Sequence, residues 1–220
     1  SRDYRYLMDC YHVLGDHDKA IQYAKLHLKF GVDSIGLESH IYVSLINSMI
    51  FLNKPEADIR SCIKDAIGKF SDIPDFYAFM AGSFLREKNF SAAKEYLLDS
   101  LHIYRKNSEC ILQSSHYISM LTTVYTNLAE ICRLDGENEQ AYSYAELALY
   151  ENKYNTEAFK EFYIHIKALE VETQENLLRK WYDESKNDLL FLKNAMEQLE
   201  INDLYFLYIK KLEEKYSVYS

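Results

Sequence analysis

The triplet Asp16-His17-Asp18 is the part of this chain whose residue types and spacing come closest to a reactive site. Two carboxylates one residue apart offer hard oxygen donors to a divalent cation. Many enzymes that bind a nucleotide sugar hold their metal with such a triplet, placed where a β-strand ends. Here the neighbours are Leu14-Gly15 on one side and Lys19-Ala20-Ile21 on the other, a tight turn followed by a helical start. Asp favours both the turn and the first positions of the helix. The triplet therefore reads as a structural turn.

The remaining reactive residue types form no constellation. His12, His17, His27, His40, His102, His116 and His165 give no His-Glu-x-x-His pair and no tight ligand cluster. A phosphate-cradling glycine loop and a Gly-x-Ser-x-Gly elbow are both missing. Glu213-Glu214 falls on a solvated helix, which argues against a general acid/base pair. Cys10, Cys62, Cys110 and Cys132 contain no Cys-x-x-Cys pair and read as small buried apolar residues. Reduced thiols suit a cytoplasmic protein. No catalytic residue, metal ligand or cofactor site is expected in this chain.

Composition points to helices. Only Pro55 and Pro74 interrupt 220 residues, and six glycines are too few for the turns of an all-β protein. The net charge of −9 and the absence of a basic stripe argue against a nucleic-acid partner. No apolar run approaches the length of a membrane span. The 20 tyrosines resemble an aromatic cage, but Tyr4, Tyr11, Tyr23, Tyr42, Tyr77, Tyr96 and Tyr125 sit on apolar faces, as packing residues with a polar tip do.

One pattern recurs along the chain. Tyr4, Leu7, Tyr11, the turn Gly15-Asp16, Ala20, Ala24 and Leu28 resemble the tetratricopeptide repeat, a pair of antiparallel helices about 34 residues long. Tyr77, Ala81, Phe84, Phe90, Ala93, Leu97 and Leu101 repeat it, as do Tyr125, Leu128, Ala129, Gly136, Ala141, Ala145, Ala148 and Leu149. A weaker unit between them has Tyr42, Leu45, Ile46 and Met49, with Asp58 in the place of the small residue. The spacings are then 38 (58 − 20), 35 (93 − 58) and 48 (141 − 93), the last holding an insertion near 106–122 that lengthens the flanking helices. Alanine belongs at Ala20, Ala93 and Ala141 because two helix backbones meet closely there, and a bulky side chain would cost about 1–3 kcal/mol. Pro55 and Pro74 start helices, and Ser91 and Thr156 are in place to cap them.

The expected fold is all-α: a tetratricopeptide-repeat α-solenoid of about four repeats over 1–154. A degenerate repeat and capping helices follow over 155–220. After Tyr154 the stripe continues as Phe159, Phe162, Tyr163 and Ile166. It then decays through Leu177, Leu178, Trp181 and Tyr182 into Leu189–Leu199 and Leu204–Leu212. Such solenoids bind a protein or peptide in the groove lined by their first helices. The groove positions are Arg2, Arg5, Asp9 and His12; His40, Val43, Asn47 and Ile50; and Thr126, Glu130 and Arg133. Repeats that clamp a C-terminal carboxylate place Lys, Asn and Arg there. The matching places here hold Arg5, Asp9, Ser44, Asp75 and Phe79, of which only Arg5 suits that use.

A longer signature runs over roughly residues 1–105: Asp3-Tyr4-Arg5-Tyr6-Leu7, Asp9-Cys10-Tyr11, Gly31-Val32, Tyr42 with Leu45-Ile46, Asn53-Lys54-Pro55, and Phe70 with Asp72-Ile73-Pro74-Asp75-Phe76-Tyr77. It resembles the C-terminal repeat region of bacterial family 2 glycosyltransferases, in particular the prophage peptide S-glycosyltransferase-like group. The resemblance implies a parent enzyme whose nucleotide-binding domain, with its own Asp-x-Asp, precedes Ser1, so that no catalytic residue falls on this chain. It further implies acceptor binding or homodimerisation by the repeats. A free-standing repeat adaptor or peptide-sensing regulator is the alternative, and an intrinsically catalytic all-α protein a more distant one.

Overall fold

The computed structural model describes residues 2–30, 35–106, 115–167, 169, 170, 173 and 176. Among these residues every regular element is a helix: α1 Arg2–Val13, α2 His17–Phe30, α3 Ile35–Phe51, α4 Glu56–Lys69, α5 Pro74–Arg86, α6 Phe90–Lys106, α7 Ser115–Leu134, α8 Asn138–Glu151 and α9 Thr156–Ile166. The chain divides into two compact units, Ser1–Cys110 and Ile111–Ser220. In the first, α1 pairs with α2, α3 with α4, and α5 with α6, while α2 also packs on α3 and α4 on α5. In the second, α7 pairs with α8, and α9 packs on both.

Four turns share one backbone solution. Each first helix ends on a residue with positive φ: Gly15, Asn53, Lys88 and Gly136. That residue donates its N–H to a carbonyl three back, and the next residue reaches five back, as in Asp16 N–H to Tyr11 O at 2.9 Å and Glu137 N–H to Cys132 O at 2.8 Å. This is the Schellman termination, which satisfies the last carbonyls of a helix. Glycine adopts it freely, whereas a residue with a Cβ is strained there by about 1–2 kcal/mol. Lys88 carries that strain at φ 58°. Lys88→Gly is accordingly expected to raise stability by about 1 kcal/mol, read as an increase in urea midpoint at unchanged slope. An unchanged or lower midpoint would contradict this account of the turn.

The turn chemistry corrects three sequence expectations. Asp58 is exposed, and the small-residue place of the second repeat belongs to Ile59, which is buried. Gly15, Lys88 and Gly136 each precede the close-contact alanine by five positions, but Asn53 precedes Ile59 by six. One extra residue at Pro55 shifts the second helix of that repeat, and Ile59 then stands 34 positions before Ala93. The other two corrections concern caps. Asn89, not Ser91, caps α6, accepting the Ala92 N–H at 3.2 Å, because α6 already begins at Phe90. Asn155, not Thr156, caps α9, accepting the Ala158 N–H at 2.8 Å. Pro74 occupies the first turn of α5 as expected, and Pro55 lies just outside α4.

Ala20, Ala93 and Ala141 are all buried, as the close helix contact requires. Aromatic pairs span the two helices of a repeat: Tyr11 on Tyr23 at 5.5 Å and Phe84 on Tyr96 at 5.6 Å at matching places, and Tyr125, the counterpart of Tyr4, on Tyr144 at 6.2 Å. Such stacking adds to the area these rings bury. Cys132 is buried, but Cys62 is only partly so and Cys10 is exposed, contrary to the reading of all cysteines as core. Cys10 shares α1 with buried Met8 but falls on its outward side. Of the insertion, 115–122 belongs to α7 and 107–114 lies outside the described residues. Phe159, Phe162, Tyr163 and Ile166 do form a buried stripe on α9. The stripes expected at Leu177, Leu178, Trp181 and Tyr182, at Leu189–Leu199 and at Leu204–Leu212 lie outside the described residues.

Candidate functional site

The five candidate residues of the first unit lie on α1 and α3, which touch each other. Asp9 and His40 pair across this seam, Oδ1 to Nε2 at 3.4 Å, with both side chains open to solvent. One turn further along, His12 Nδ1 lies 3.2 Å from Ser48 Oγ. His17 Nδ1, from the start of α2, lies 3.3 Å from the same oxygen. A hydroxyl has a single proton, so Ser48 donates to one imidazole and accepts an N–H from the other. His17 is enclosed further by Phe51, ring centroids 4.0 Å apart. The pair of histidines thus joins the first repeat to the second.

Arg5 is half-buried, with its guanidinium 4.7 Å over the Tyr6 ring. Its Nε is hidden from solvent without a hydrogen-bond partner. Asn47 is half-buried on α3, as are Val43 and Ile50. The side chain of Arg2 lies outside the described residues. Ser48 and His17 were not singled out for this face. A trace of them was available in Ser44 and Ser48, small polar residues four apart on an otherwise apolar α3.

The candidates of the second unit have other engagements. Arg133 grips Glu161 with two hydrogen bonds, Nε to Oε2 at 2.9 Å and Nη2 to Oε1 at 3.2 Å, tying α7 to α9. This carboxylate beside it raises the already high pKa of Arg133. Thr126 donates its hydroxyl to the Thr122 carbonyl of its own helix at 2.8 Å. Glu130 is exposed. Next to Arg133, a cavity of about 520 Å³ is walled by Tyr142, Ile164, His165 and Leu169. Burial lowers the pKa of His165, and its Nε2 has no hydrogen-bond partner.

The Asp16-His17-Asp18 triplet is divided among structural tasks. Asp16 accepts the Lys19 N–H at 3.2 Å and pairs with the Lys19 ammonium at 2.9 Å. Lys19 thereby holds the Asp16 carboxyl below its ordinary pKa. Asp18 pairs with Lys54 at 3.0 Å. His17 turns inward and is 8% exposed. Among the described residues no three His, Cys, Asp or Glu side chains converge as a metal site. Asp16→Ala combined with Asp18→Ala is expected to lower Tm by about 2–4 °C through the lost cap. Titration calorimetry should show the same featureless Mn²⁺ trace for both proteins; a tight site removed by the substitutions would overturn the assignment.

The segment Phe70 to Tyr77 also acquires a physical account. Phe70 and Phe76 pack 6.2 Å apart, and Tyr42 meets each edge-on at 6.0 and 6.4 Å. Pro74 opens α5, its carbonyl accepting the Ser100 hydroxyl at 2.9 Å. Asp75 accepts the Tyr104 hydroxyl at 2.5 Å, and Tyr77 donates to the Ser71 carbonyl at 3.1 Å. These residues lock the corner between the second and third repeats.

Among the described residues no helix is long and apolar enough to cross a membrane. No family model matches the chain, and no curated protein does. Solved structures do. PilF of Pseudomonas aeruginosa aligns at TM-score 0.62 and 18% identity, covering 98% of this chain and 91% of that one. The MamA protein aligns at TM-score 0.58 and 15% identity over 100% of this chain and 94% of that one. A thermophilic TPR protein of Thermus thermophilus aligns at 0.51 and 15% identity, over 96% and 98%. Identities this low speak for the fold alone. With paired antiparallel helices, four equivalent turns and alanines at the close contacts, the chain has the fold of a tetratricopeptide-repeat α-solenoid.

Proposed function

We propose that this chain is a non-catalytic binding module, and that the face shared by α1 and α3 receives a protein or peptide ligand. Folds of this kind serve as interaction scaffolds. The observation that carries the reading is the polar row Arg5, Asp9, His12, His40 and Asn47 on two adjoining first helices. Asp9 and His40 stay accessible there although they touch. The second unit offers Thr126, Glu130 and Arg133. Of these Glu130 is the exposed group, since Arg133 is engaged by Glu161.

In its finer form the proposal makes the chain the acceptor-binding or dimerisation region of a cytoplasmic bacterial family 2 glycosyltransferase, the catalytic domain preceding it in the same polypeptide. The signature from Asp3 to Tyr77 supports this. A free-standing adaptor or peptide-sensing regulator is the second reading, which the repeat fold supports equally.

Selection from a displayed random-peptide library tests the binding face. Enriched peptides should lose about tenfold in affinity, or 1.4 kcal/mol, when Asp9→Lys is introduced, with helicity and Tm preserved. Peptides that bind the variant unchanged would remove the face from consideration. The reading frame upstream of Ser1 decides between the contexts: an α/β segment with Asp-x-Asp supports the transferase, a DNA-binding helix-turn-helix the regulator.

A further inference from the structure

The second helix of the second repeat is held differently from its counterparts. Ile59 stands where the other repeats have Ala20, Ala93 and Ala141. α4 lies less closely against α3 than α2 does against α1 or α6 against α5, and less closely against α5 than α2 does against α3. A branched side chain at the closest point keeps two backbones apart, since interiors do not compress to absorb it. On the α5 side, long polar side chains span the gap. Glu56 accepts hydrogen bonds from Arg86 and Ser83, which holds its carboxyl below the ordinary pKa. Arg60 pairs with Glu87 at 2.8 Å.

On the other side the gap stays open. A cavity of about 510 Å³ lies between α2, α3 and α4. Ile21, Tyr42, Leu45 and Met49 form its apolar floor. Its mouth carries Asp58 and Asp65 from α4 and Lys25 from α2. Lys54 also borders it, but its ammonium is taken by Asp18. Two carboxylates therefore face one ammonium, that of Lys25. Cys62 in the wall stays a neutral thiol, burial pushing its pKa up to about 11, so the cavity calls for no covalent chemistry.

We propose that this cavity is a second binding site, distinct from the α1–α3 face, for an apolar side chain with a cationic group beside it. The floor takes the apolar group, as the lining of a ligand pocket of this size does. The α4 carboxylates take the cation. Their spacing of seven places Asp58 and Asp65 on one face of the helix, two turns apart. The site would thus read a hydrophobic residue at the free N-terminus of a protein partner.

The probes are L-phenylalaninamide, N-acetyl-L-phenylalaninamide and N-acetyl-L-phenylalanine, identical in side chain and carrying about +1, 0 and −1 at a pH of about 6, below the α-amino range. Each is titrated into the full chain and followed by amide chemical shifts. The expected result is saturable shifts in α2 and α4 with affinity in the order cation, neutral, anion. Asp58→Asn with Asp65→Asn should lower the cation's affinity by about three- to fivefold, a range typical of exposed ion pairs. Ser61→Trp, at an exposed position of the same rim, should fill the mouth and suppress all three probes. The proposal is overturned if no saturable shift occurs in α2 and α4. It is equally overturned if the anion binds as well as the cation, or if the preference survives loss of both carboxylates. Since none of these residues lies on the α1–α3 face, failure here leaves the peptide-selection result standing.

Discussion

Arg133→Met is expected to destabilise the second unit by about 3 kcal/mol, at the lower end of the 3–5 kcal/mol typical of breaking a buried ion pair. The Glu161 side chain is 8% exposed and that of Arg133 27%. Removing the guanidinium leaves a carboxylate almost without water and without its two charge-assisted hydrogen bonds. The partial exposure of Arg133 lets some water in, which places the loss at the low end. Hydrogen exchange is the suitable readout, because two compact units need not unfold in a single transition. Amides of α7 and α9 should lose protection, while those of α1 to α4 keep theirs. Arg133→Met combined with Glu161→Leu should recover most of the stability, since an apolar pair of similar volume replaces the ion pair without stranding a charge. A single variant that changes protection by less than about 1 kcal/mol would sink this account of the pair. The double variant also separates binding from stability, because it removes the Arg133 charge from the candidate groove while preserving the α7–α9 contact.

Phe76→Ala is expected to cost the first unit about 3–5 kcal/mol, the range for truncating a buried phenylalanine. Phe76 is fully buried, and its ring contacts both Phe70 and Tyr42. The corner it fills is pinned by Pro74 and by the Ser100 and Tyr104 hydrogen bonds. Such a corner has little freedom to collapse onto the space left behind, which favours the upper part of that range. Loss of protection should spread over α3 to α6 and leave the second unit unaffected. Phe76→Leu, which retains most of the volume, should lose about 1–2 kcal/mol. Equal effects of the two substitutions would show that the aromatic cluster does not hold the corner.

Much of the fold was legible because repeat helices are local structures. The apolar stripe, the positive-φ glycines at Gly15 and Gly136 and the alanines at the close contacts are all written within a few turns of one another. The irregular second repeat was harder. A single extra residue at Pro55 moved the small-residue place from Asp58 to Ile59, and a fixed spacing hides such a slip. Caps at Asn89 and Asn155 were missed for a related reason: several capping-capable residues stand side by side at each start, and backbone geometry selects one. The candidate site was legible only as positions. That Asp9 meets His40, that two histidines share Ser48, and that Arg133 is already engaged by Glu161 depend on which helices lie together.

The sequence by itself determined the all-helical class and the repeating turn. These follow from periodicity, glycine placement and spacing, which act over a turn or two of backbone. Only the tertiary structure decided which charges are available and where space remains. Asp16 and Asp18 became a cap and a tie, Arg133 became a strut, and Ile59 became the spacer beside the α2–α4 cavity. Those outcomes rest on side chains far apart in sequence meeting across helix contacts, which local pattern does not encode.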